Sequence, residues 1–491
     1  MSLPSNGHEI ELKLLIDPAE ADRLVASDLF GGPERVRTMH TVYFDTPSLD
    51  LATAGFSLRV RESGGAFVQT VKALGSEAAG LMARPEWERE LPGPAPILDD
   101  ERPIWQGLGD RLQMVAPLFE VDVERRSWTL SQGDSVCEVV LDRGLVRAGD
   151  RQAPVCEIEI ELKAGEAVDL FALARRIDGV VPVWPGVMTK AERGHRLLGP
   201  VRHAVSSQPA TLSEGMSSQV AFQRIASACL RQFRLNEMQV DPTYPAALHQ
   251  ARVAIRRLRS ALSMHREMLA GERLSAMRSA FRDLGSTLGE ARDLDVLAAR
   301  MEGSAYLAPV EQARRSAYER AVEALKSQRT RALLLDFSEW LSFGDWIASA
   351  GTQALRLAPA RDASAQILSR QFRRGRKAGR HLASLDDDGR HELRKMAKNL
   401  RYAAEFYAPL FDDKRSHKRR KRLLDALEAL QDALGALNDL AGAPQTITQL
   451  DLGADAASQI AGHVGGDRRD DLLAKAARAH DAIRAAKPFW N

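Results

Sequence analysis

The chain has 491 residues, of which 44% are hydrophobic and 27% charged, and its net charge is +2. A chain of this length is too long for one hydrophobic core, so two or three domains are expected. No run of about 18 apolar residues is present, which excludes a hydrophobic membrane-spanning helix, and residues 1–6 lack the charged and apolar regions of a signal peptide.

The first predicted element is a strand over residues 8–16, in which polar and apolar residues alternate. Side chains on a strand point to opposite faces with a period of two. One face therefore carries Glu9, Glu11 and Lys13, and the other carries isoleucine and leucine side chains. A half-buried strand with a solvated polar face has the same pattern, so this strand alone identifies no site.

Seven further strands follow within the first 200 residues, which therefore predict an α+β fold. The Gly64-Gly65 pair indicates a tight hairpin between two of them. Helical patterns at residues 19–29 and 168–177 are expected to pack outside the sheet. The predicted strands lie at residues 36–44, 56–61, 67–72, 84–88, 119–130, 136–142 and 156–163.

The polar faces of these strands carry carboxylates on the first and last strands, and Arg or Lys on the middle ones. A flat sheet with a solvated face is the simplest interpretation. The complementary clustering favours a closed barrel with a charged lumen, because unpaired like charges in a confined space are costly. Such a lumen could bind divalent cations on its carboxylates and a phosphate chain on its Arg and Lys side chains. No Walker A sequence or glycine-rich nucleotide loop is present.

The same residues resemble a known family. The ExExK motif formed by Glu9, Glu11 and Lys13 is the signature of the CYTH superfamily, the triphosphate tunnel metalloenzymes. The resemblance covers about the first 200 residues and implies an eight-stranded antiparallel tunnel that cleaves triphosphates with Mg²⁺ or Mn²⁺. Further matching motifs follow in order at residues 43–47, 58–61, 70–72, 84–86, 125–128, 141–144, 157–161 and 190–194.

The resemblance also implies roles for charged residues. Basic side chains would neutralise the phosphate oxygens, namely Lys13, Arg59, Arg61, Lys72, Arg125, Lys190 and Arg193. Acidic side chains would hold one or two metal ions, namely Glu9, Glu11, Glu86, Asp142, Glu157, Glu159 and Glu161.

Three assignments stay open. Simple alternation groups Arg125 with Val121 and Val123, so either a bulge intervenes or Arg126 faces the tunnel. The sequence does not decide which two of the three glutamates at residues 157–161 bind metal. It also does not decide which carboxylate accepts the proton of the attacking water.

The tunnel domain is assigned to residues 1–200, and residues 201–218 have the Ser, Pro and Gly content of a linker. Residues 219–491 have helical periodicity throughout and form the second domain. An internal repeat, about 219–350 and 360–491, indicates two related helical bundles. The repeat is marked by Leu-Gly motifs at residues 288–294 and 434–440.

Two predicted helices of this domain carry basic faces. On a helical wheel one arc of the first holds His249, Arg252, Arg256 and Arg259. About 142 residues later the same pattern returns, with His391, Arg394, Lys395, Lys398 and Arg401. A solvated charged face is the ordinary explanation for such a helix, but its repetition with almost no acidic residue between favours a cleft that binds a polyanion.

Charge and composition limit the kinds of polyanion that could bind to the helical domain. Residues 219–491 have a net charge of +12, against −10 for residues 1–218. Aromatic residues are sparse on the basic faces, so base stacking is not indicated and nucleic acid is not expected to bind. The pattern resembles the CHAD domain, an α-helical module with histidines that commonly follows a CYTH domain and binds inorganic polyphosphate. This resemblance covers roughly residues 219–491.

The combined hypothesis is metal-dependent hydrolysis of inorganic triphosphate to pyrophosphate and phosphate in the tunnel, with inorganic polyphosphate bound by the helical domain. One alternative is a non-catalytic protein that binds or localises to polyphosphate. Another is a tunnel enzyme for an organic triphosphate, of the adenylate cyclase, thiamine triphosphatase or RNA triphosphatase type. The cysteines at positions 137, 156 and 229 lack metal or redox spacing. Reduced thiols and a cytoplasmic location are therefore expected. Association with polyphosphate granules is a separate expectation, which the resemblance to the CHAD domain raises.

Overall fold

The computed structural model describes residues 8–31, 35–73, 76–78, 80–98, 105, 108–269, 271–449 and 466–491. The chain forms two compact units. The first contains Met1–Arg202 together with Ser327–Phe343, and the second contains His203–Lys326 and Gly344–Asn491. The sequence had assigned everything after residue 218 to one helical domain, so the segment at 327–343 differs from that division.

Eight antiparallel strands of the first unit form a closed ring in the order β1-β9-β8-β7-β2-β3-β4-β6, and β6 pairs back with β1. Two short strands, β5 and β10, extend from β6 and β1. The predicted eight-stranded antiparallel tunnel is thus confirmed. The strands are β1 His8–Ile16, β2 Arg35–Asp45, β3 Phe56–Ser63, β4 Ala66–Ala73, β5 Ser76–Ala78, β6 Leu81–Leu91, β7 Ala116–Gln132, β8 Ser135–Ala148, β9 Arg151–Ala164 and β10 Val183–Pro185.

The strand register places the charged residues on the inner face of the ring. Glu11 lies opposite Glu161, and Lys13 lies opposite Glu159. The intervening Leu12 points outward and is fully buried, because side chains alternate between the two faces of a strand. The β3–β4 turn uses two glycines at residues 64 and 65 with φ of +58° and +85°, as a two-residue hairpin requires.

Helices cover the apolar outer face of the ring. They are α1 (Pro18–Val25) and α3 (Asp169–Asp178), and the short α2 (Asp50–Thr53) follows β2. The apolar residues of α3 recur at three- and four-residue spacing, which gives the helix one buried face. That face packs with Leu12, Leu14 and Ile158 of the strands in one hydrophobic cluster.

A further helix, α4 (Lys190–Leu198), packs against the inner face of the ring. Its Ala191 and Leu197 contact an apolar cluster on β2, β7, β8 and β9 that includes Phe119. A Cβ atom at Gly194 would lie 2.1 Å from the Phe119 ring, so only glycine permits this approach. Helices were expected on the outside alone, but α4 closes one end of the lumen.

The first unit also contains helix α9 (Gln328–Phe343). Leu335 of this helix is 1% exposed and belongs to the cluster that covers the outer face of the ring. Arg331 forms a buried ion pair with Asp178 at 2.6 Å, and Arg175 of α3 pairs with Asp336 at 2.7 Å. A helix that follows the linker by more than 100 residues is thus part of the tunnel unit.

The second unit is helical. Among the described residues, no helix is both long and apolar enough to cross a membrane. The basic run that starts at Lys414 forms the beginning of a long helix. The helices are α5 Ser218–Glu237, α6 Pro245–Met264, α7 Glu272–Arg300, α8 Leu307–Lys326, α10 Gln353–Leu357, α11 Ala360–Ala378, α12 Asp387–Phe406, α13 Lys414–Gln449 and α14 Gly466–Ala485.

The helices with the two basic faces, α6 and α12, contact each other directly. The hydroxyl of Tyr407, at the end of α12, lies 2.8 Å from Nε2 of His265 at the end of α6. These two positions are separated by the same 142 residues as the two basic patterns. The hydroxyl of Ser260 donates to the side-chain oxygen of Asn399 at 2.9 Å. The repeated helices therefore meet at one pair of equivalent positions, His265 and Tyr407.

Replacing Leu335 by alanine should destabilise the first unit by about 2–5 kcal/mol, because the change leaves a cavity in a fully buried cluster. Thermal or urea unfolding of the full chain measures the loss. The exposed Gln328 of the same helix provides the matched control, and its alanine variant should stay within about 0.5 kcal/mol of the parent. Equal stability of the Leu335 variant and the control would contradict this role of α9.

Candidate active site

The barrel encloses a cavity of about 360 Å³, which is lined in part by residues 189–191 at the start of α4. Ten of the charged residues predicted for the site line this cavity: Glu11, Lys13, Arg59, Arg61, Lys72, Glu86, Arg125, Glu159, Glu161 and Lys190. Three others, Asp142, Glu157 and Arg193, form ion pairs with one another or with these lining residues. The side chain of Glu9 lies outside the described residues, although its backbone pairs opposite Arg84.

An acidic cluster lies near the end closed by α4. Carboxylate oxygens of Asp142, Glu157 and Glu159 approach within 4.8 Å of one another. Lys13 pairs with Glu157 at 2.8 Å and with Glu159 at 2.6 Å. Lys190 contacts all three carboxylates, at 2.6–3.0 Å. The cluster therefore combines ligands typical of a divalent cation with cations supplied by the protein.

The orientation of Arg125 is resolved by the structure. Its guanidinium pairs with Asp142 at 2.6 Å and with Glu159 at 3.1 Å. No bulge is needed, because Val121 and Val123 also face inward, where they belong to the cluster that contacts α4. Arg126 faces the other way and pairs with Glu124. The sequence left this choice open because it did not show that the inner face is apolar at one end.

The charges at this end shift one another's pKa values. Burial alone would raise the pKa of Glu157 and Glu159, but the nearby Lys13 and Lys190 outweigh it and lower both. Burial would likewise lower the pKa of Lys13 and Lys190, yet the carboxylates raise both above the usual range for lysine. All of these groups are therefore charged at neutral pH.

The opposite wall is dominated by cations. Lys72 pairs with Glu86 at 2.7 Å, and Arg59 lies 3.6 Å from the same carboxylate. Arg61 stands two residues further along β3, and the charge of Arg59 together with burial lowers its pKa to about 10. A wall on which arginines repel one another is stabilised by an anion that binds between them.

Two guanidinium groups retain donors that the protein does not satisfy. The Nε atoms of Arg59 and Arg193 are buried and have no hydrogen-bond partner in the described structure. Buried donors are almost always paired in folded proteins. Because phosphate oxygens are strong acceptors for guanidinium groups, these atoms indicate where an anion would bind.

Tyr43 also lines the cavity, and the sequence suggested no role for it. Its ring stacks on Phe119 with centroids 4.8 Å apart, and Phe119 in turn contacts Gly194 of α4. Burial would raise the pKa of its hydroxyl, but Arg59, to which it is hydrogen-bonded, lowers it. Tyr43 therefore connects the position of α4 to that of Arg59, and only the cross-strand pairing of residues 43 and 59 identifies this link.

The remaining carboxylates suit a metal ion. Glu11 and Glu161 are cross-strand partners on the inner face, and Glu159 is next to Glu161 along that face. Glu161 lies 2.7 Å from Lys163. Hard divalent cations bind carboxylate oxygens, so the donor set of β1 and β9 fits Mg²⁺ or Mn²⁺. Glu157 is fully buried beneath two lysines. Glu86 lies on β6, where it is the cross-strand partner of Lys72.

The second unit places its predicted basic residues on α6 and α12, in similar surroundings. A Cβ atom at Gly289 would lie 2.9 Å from the guanidinium of Arg252, and one at Gly435 would lie 3.1 Å from that of Arg394. Each arginine therefore packs over a glycine of the following Leu-Gly motif. The Nε of Arg256 is buried without a hydrogen-bond partner among the described residues.

The two copies differ around their histidines. Burial, reinforced by Arg292, Arg256 and Arg252, lowers the pKa of His249 to about 4. His391 instead lies 3.2 Å from the side-chain oxygen of Asn438. Three other predicted side chains are placed as follows: Lys395 pairs with Glu392, Arg401 pairs with Glu405, and Arg259 is half-buried near Arg282 and Arg278. Lys398 is also on α12.

Two family sequence models match this chain. The model of the CYTH domain matches residues 7–179, and the model of the CHAD domain matches residues 224–448. Both families are those that the sequence motifs resemble. Helix α4, with Lys190 and Arg193, lies just beyond the first match.

Individual proteins are similar to parts of this chain. An inorganic triphosphatase of Haemophilus influenzae is 32% identical over 206 residues, which cover 38% of this chain and 54% of the relative. An uncharacterised protein of Mycobacterium tuberculosis is 25% identical over 400 residues, which cover 74% of this chain and 75% of the relative. The crystal structure of the CHAD domain from Ricinus communis aligns with 58% of this chain and 97% of its own, at 27% identity and a TM-score of 0.47.

The Glu157→Gln variant should lose about 3 kcal/mol of stability at pH 7, because it leaves Lys13 and Lys190 buried with less compensating charge. Unfolding by urea measures this loss. The difference from the parent should begin to shrink as the pH falls below about 4, because glutamate in the unfolded parent then takes up a proton. It should vanish only at lower pH, where the folded Glu157, whose pKa is lowered by Lys13 and Lys190 against the effect of burial, is protonated as well.

The outward-facing Glu124, which is half-exposed and paired with Arg126, provides the control. Its glutamine variant should change stability by less than about 1 kcal/mol. A Glu157 variant as stable as this control would show that the buried cluster does not depend on its ion pairs.

Proposed function

Because the chain is a CYTH–CHAD protein, with a CYTH domain at residues 7–179 and a CHAD domain at residues 224–448, we propose that its tunnel hydrolyses inorganic triphosphate to pyrophosphate and phosphate. The observation that carries the proposal is a closed lumen that contains both an acidic cluster and buried arginine Nε donors without hydrogen-bond partners among the described residues. Such a lumen is complementary to a chain of phosphates accompanied by a divalent cation.

The basic side chains would bind the substrate from two sides. Arg59, Arg61 and Lys72 would hold phosphate oxygens along the β3–β4 wall. Lys190 and Arg193 of α4 would hold the end that reaches the closed part of the tunnel, together with Lys13 and Arg125. Charge that develops on the phosphates during transfer is stabilised by cations already in position.

The carboxylates of β1 and β9 would hold Mg²⁺ or Mn²⁺, chiefly Glu11, Glu159 and Glu161, with Asp142 behind them. The bound ion would neutralise phosphate oxygens and activate a water molecule. The protein itself orients the terminal phosphorus for in-line attack, because α4 prevents the chain from passing through. A lumen carboxylate accepts the proton of the attacking water.

An inorganic substrate is favoured over an organic one by the lining of the cavity. Tyr43 is the one aromatic side chain among the described residues that line it, and it is stacked on Phe119 and bonded to Arg59. It is therefore not available to stack on a nucleobase or a thiazolium ring. A purely binding role would not require the carboxylate set of β1 and β9.

The helical unit would bind inorganic polyphosphate. Its two equivalent sites, around Arg252 and Arg394, repeat the same arrangement of arginine over glycine, and the unit as a whole is basic. Repeated cationic sites on adjacent helices suit a long, regularly charged anion. RNA would offer similar phosphates, but these faces lack aromatic side chains for its bases.

The Glu11→Ala variant should lose metal-dependent release of phosphate from tripolyphosphate by at least about 100-fold, because one metal-binding carboxylate is removed. Phosphate release is measured with Mg²⁺, with Mn²⁺ and with EDTA, which should abolish it in the parent. Alanine at the exposed, outward-facing Glu120 of β7 is the control and should leave the rate unchanged.

Parental turnover by Glu11→Ala would contradict the assigned metal site. Faster hydrolysis of ATP, thiamine triphosphate or an RNA 5′-triphosphate than of tripolyphosphate would show that the preferred substrate is an organic triphosphate. If no triphosphate is hydrolysed but polyphosphate still binds, the alternative of a non-catalytic polyphosphate-binding protein would be favoured.

The Arg252→Ala and Arg394→Ala variants should each weaken polyphosphate binding by about tenfold, the equivalent of one lost charge-assisted contact. Isothermal titration at fixed salt measures the dissociation constant. The exposed Arg315 of α8 is the control for general loss of positive charge. Unchanged affinity in both variants, or tighter binding of RNA than of polyphosphate, would contradict the proposed ligand.

A further inference from the structure

We propose that Arg35 and Arg37 form an additional phosphate-binding subsite at the open mouth of the tunnel. This subsite would bind the continuation of a linear phosphate chain that has more than three phosphates. The inference rests on the proposed triphosphatase function and extends its substrate class to longer polyphosphate anions.

Both arginines lie on the inner face of β2. The pairing of β2 with β7 is unbroken from Arg35 opposite Ser127 to Tyr43 opposite Phe119, and the register shifts only after Tyr43. Tyr43 lines the cavity. Because side chains alternate with a period of two, residues 35 and 37 lie on the same face as residue 43.

The position of Arg37 places it next to a residue already assigned to the site. It is the direct cross-strand partner of Arg125, and such partners have Cβ atoms about 5 Å apart. Like charges in this arrangement are unfavourable unless an anion lies between them. Arg125 is held by Asp142 and Glu159, but neither Arg35 nor Arg37 has an ion-pair partner within the described ranges.

The closed end of the lumen determines where a longer chain must protrude. Helix α4 packs against Phe119, Val146 and Val155, near the start of β7, the end of β8 and the start of β9. Arg35 begins β2 at the opposite end, beside residue 127 near the end of β7. A phosphate chain that fills the cavity can therefore continue only past this mouth.

Two neighbouring guanidinium groups at the mouth favour a further phosphate, rather than an uncharged group, as the next part of the bound chain. Arg35 and Arg37 are both exposed, and their Cα atoms are about 7 Å apart along the strand. Guanidinium groups bind phosphate oxygens in a bidentate manner. In an organic triphosphate, the ring of the nucleoside or thiamine would lie beside these two arginines. In a linear tetraphosphate, the fourth phosphate would lie there and contact both guanidinium groups.

The test compares tripolyphosphate with linear tetraphosphate for the full chain and for the Arg35→Gln, Arg37→Gln and double variants. The ratio of kcat/KM for tetraphosphate to that for tripolyphosphate should fall about tenfold in the double variant, as expected for lost charge-assisted hydrogen bonds. The outward-facing Arg143 of β8, which pairs with Asp22, is the control, and Arg143→Gln should leave the ratio unchanged. Melting curves show that each variant is folded.

An unchanged ratio in the double variant would overturn the subsite. A larger loss for an RNA 5′-triphosphate than for tetraphosphate would also overturn it, since the pair would then serve a nucleic acid. If the parent hydrolyses neither chain, the proposed function fails, and the subsite is then tested by binding alone. Dissociation constants for tripolyphosphate and tetraphosphate are measured in EDTA, with Arg252→Ala and Arg394→Ala present in every protein to weaken binding by the helical unit. The ratio of the two dissociation constants should still change about tenfold in the double variant, and an unchanged ratio would refute the subsite.

Discussion

The tunnel depends on the pairing of three carboxylates, two of them fully buried, with cations from distant segments of the chain. Asp142 and Glu157 are completely buried, and removing such charges from water costs several kcal/mol for each ion unless a partner compensates. The partners are Lys13 on β1, Arg125 on β7 and Lys190 on α4. The barrel can close around charged side chains only because these contacts form together. The same cations would also meet a substrate, so the fold and the proposed chemistry rest on one set of interactions.

Helix α4 makes the barrel a pocket with one open end. It brings Lys190 to the acidic cluster, and its Gly194 allows Phe119 to pack against the helix backbone. Through the stacked ring of Tyr43, this contact extends to Arg59 on the opposite wall. Under the proposed function, a closed end would hold one terminus of a phosphate chain in a defined place, and charged residues at the mouth would influence which chain lengths bind.

The helical unit brings its basic side chains together through an internal repeat. Two helices with the same basic pattern meet at equivalent residues, His265 and Tyr407, and each arginine of the pattern rests on a glycine. The copies have nevertheless diverged, since His249 faces Arg292 whereas His391 faces Asn438. Both units therefore concentrate arginine and lysine side chains, one inside a closed lumen and the other on repeated helix faces.

The sequence by itself determined the strand alternation, the helical second half, and most of the charged residues that line the cavity. These follow from periodicity and residue type, which are local properties of the chain. The eight-stranded tunnel was implied by the resemblance of the sequence motifs to the CYTH family. Only the tertiary structure decided that Arg125 faces inward, that Tyr43 contacts Arg59, and that α9 packs on the tunnel unit. Each of these depends on which side of a strand or helix meets a segment far away in the chain. Alternation shows that two faces exist, but packing against α4 decided that the inner face is apolar at one end.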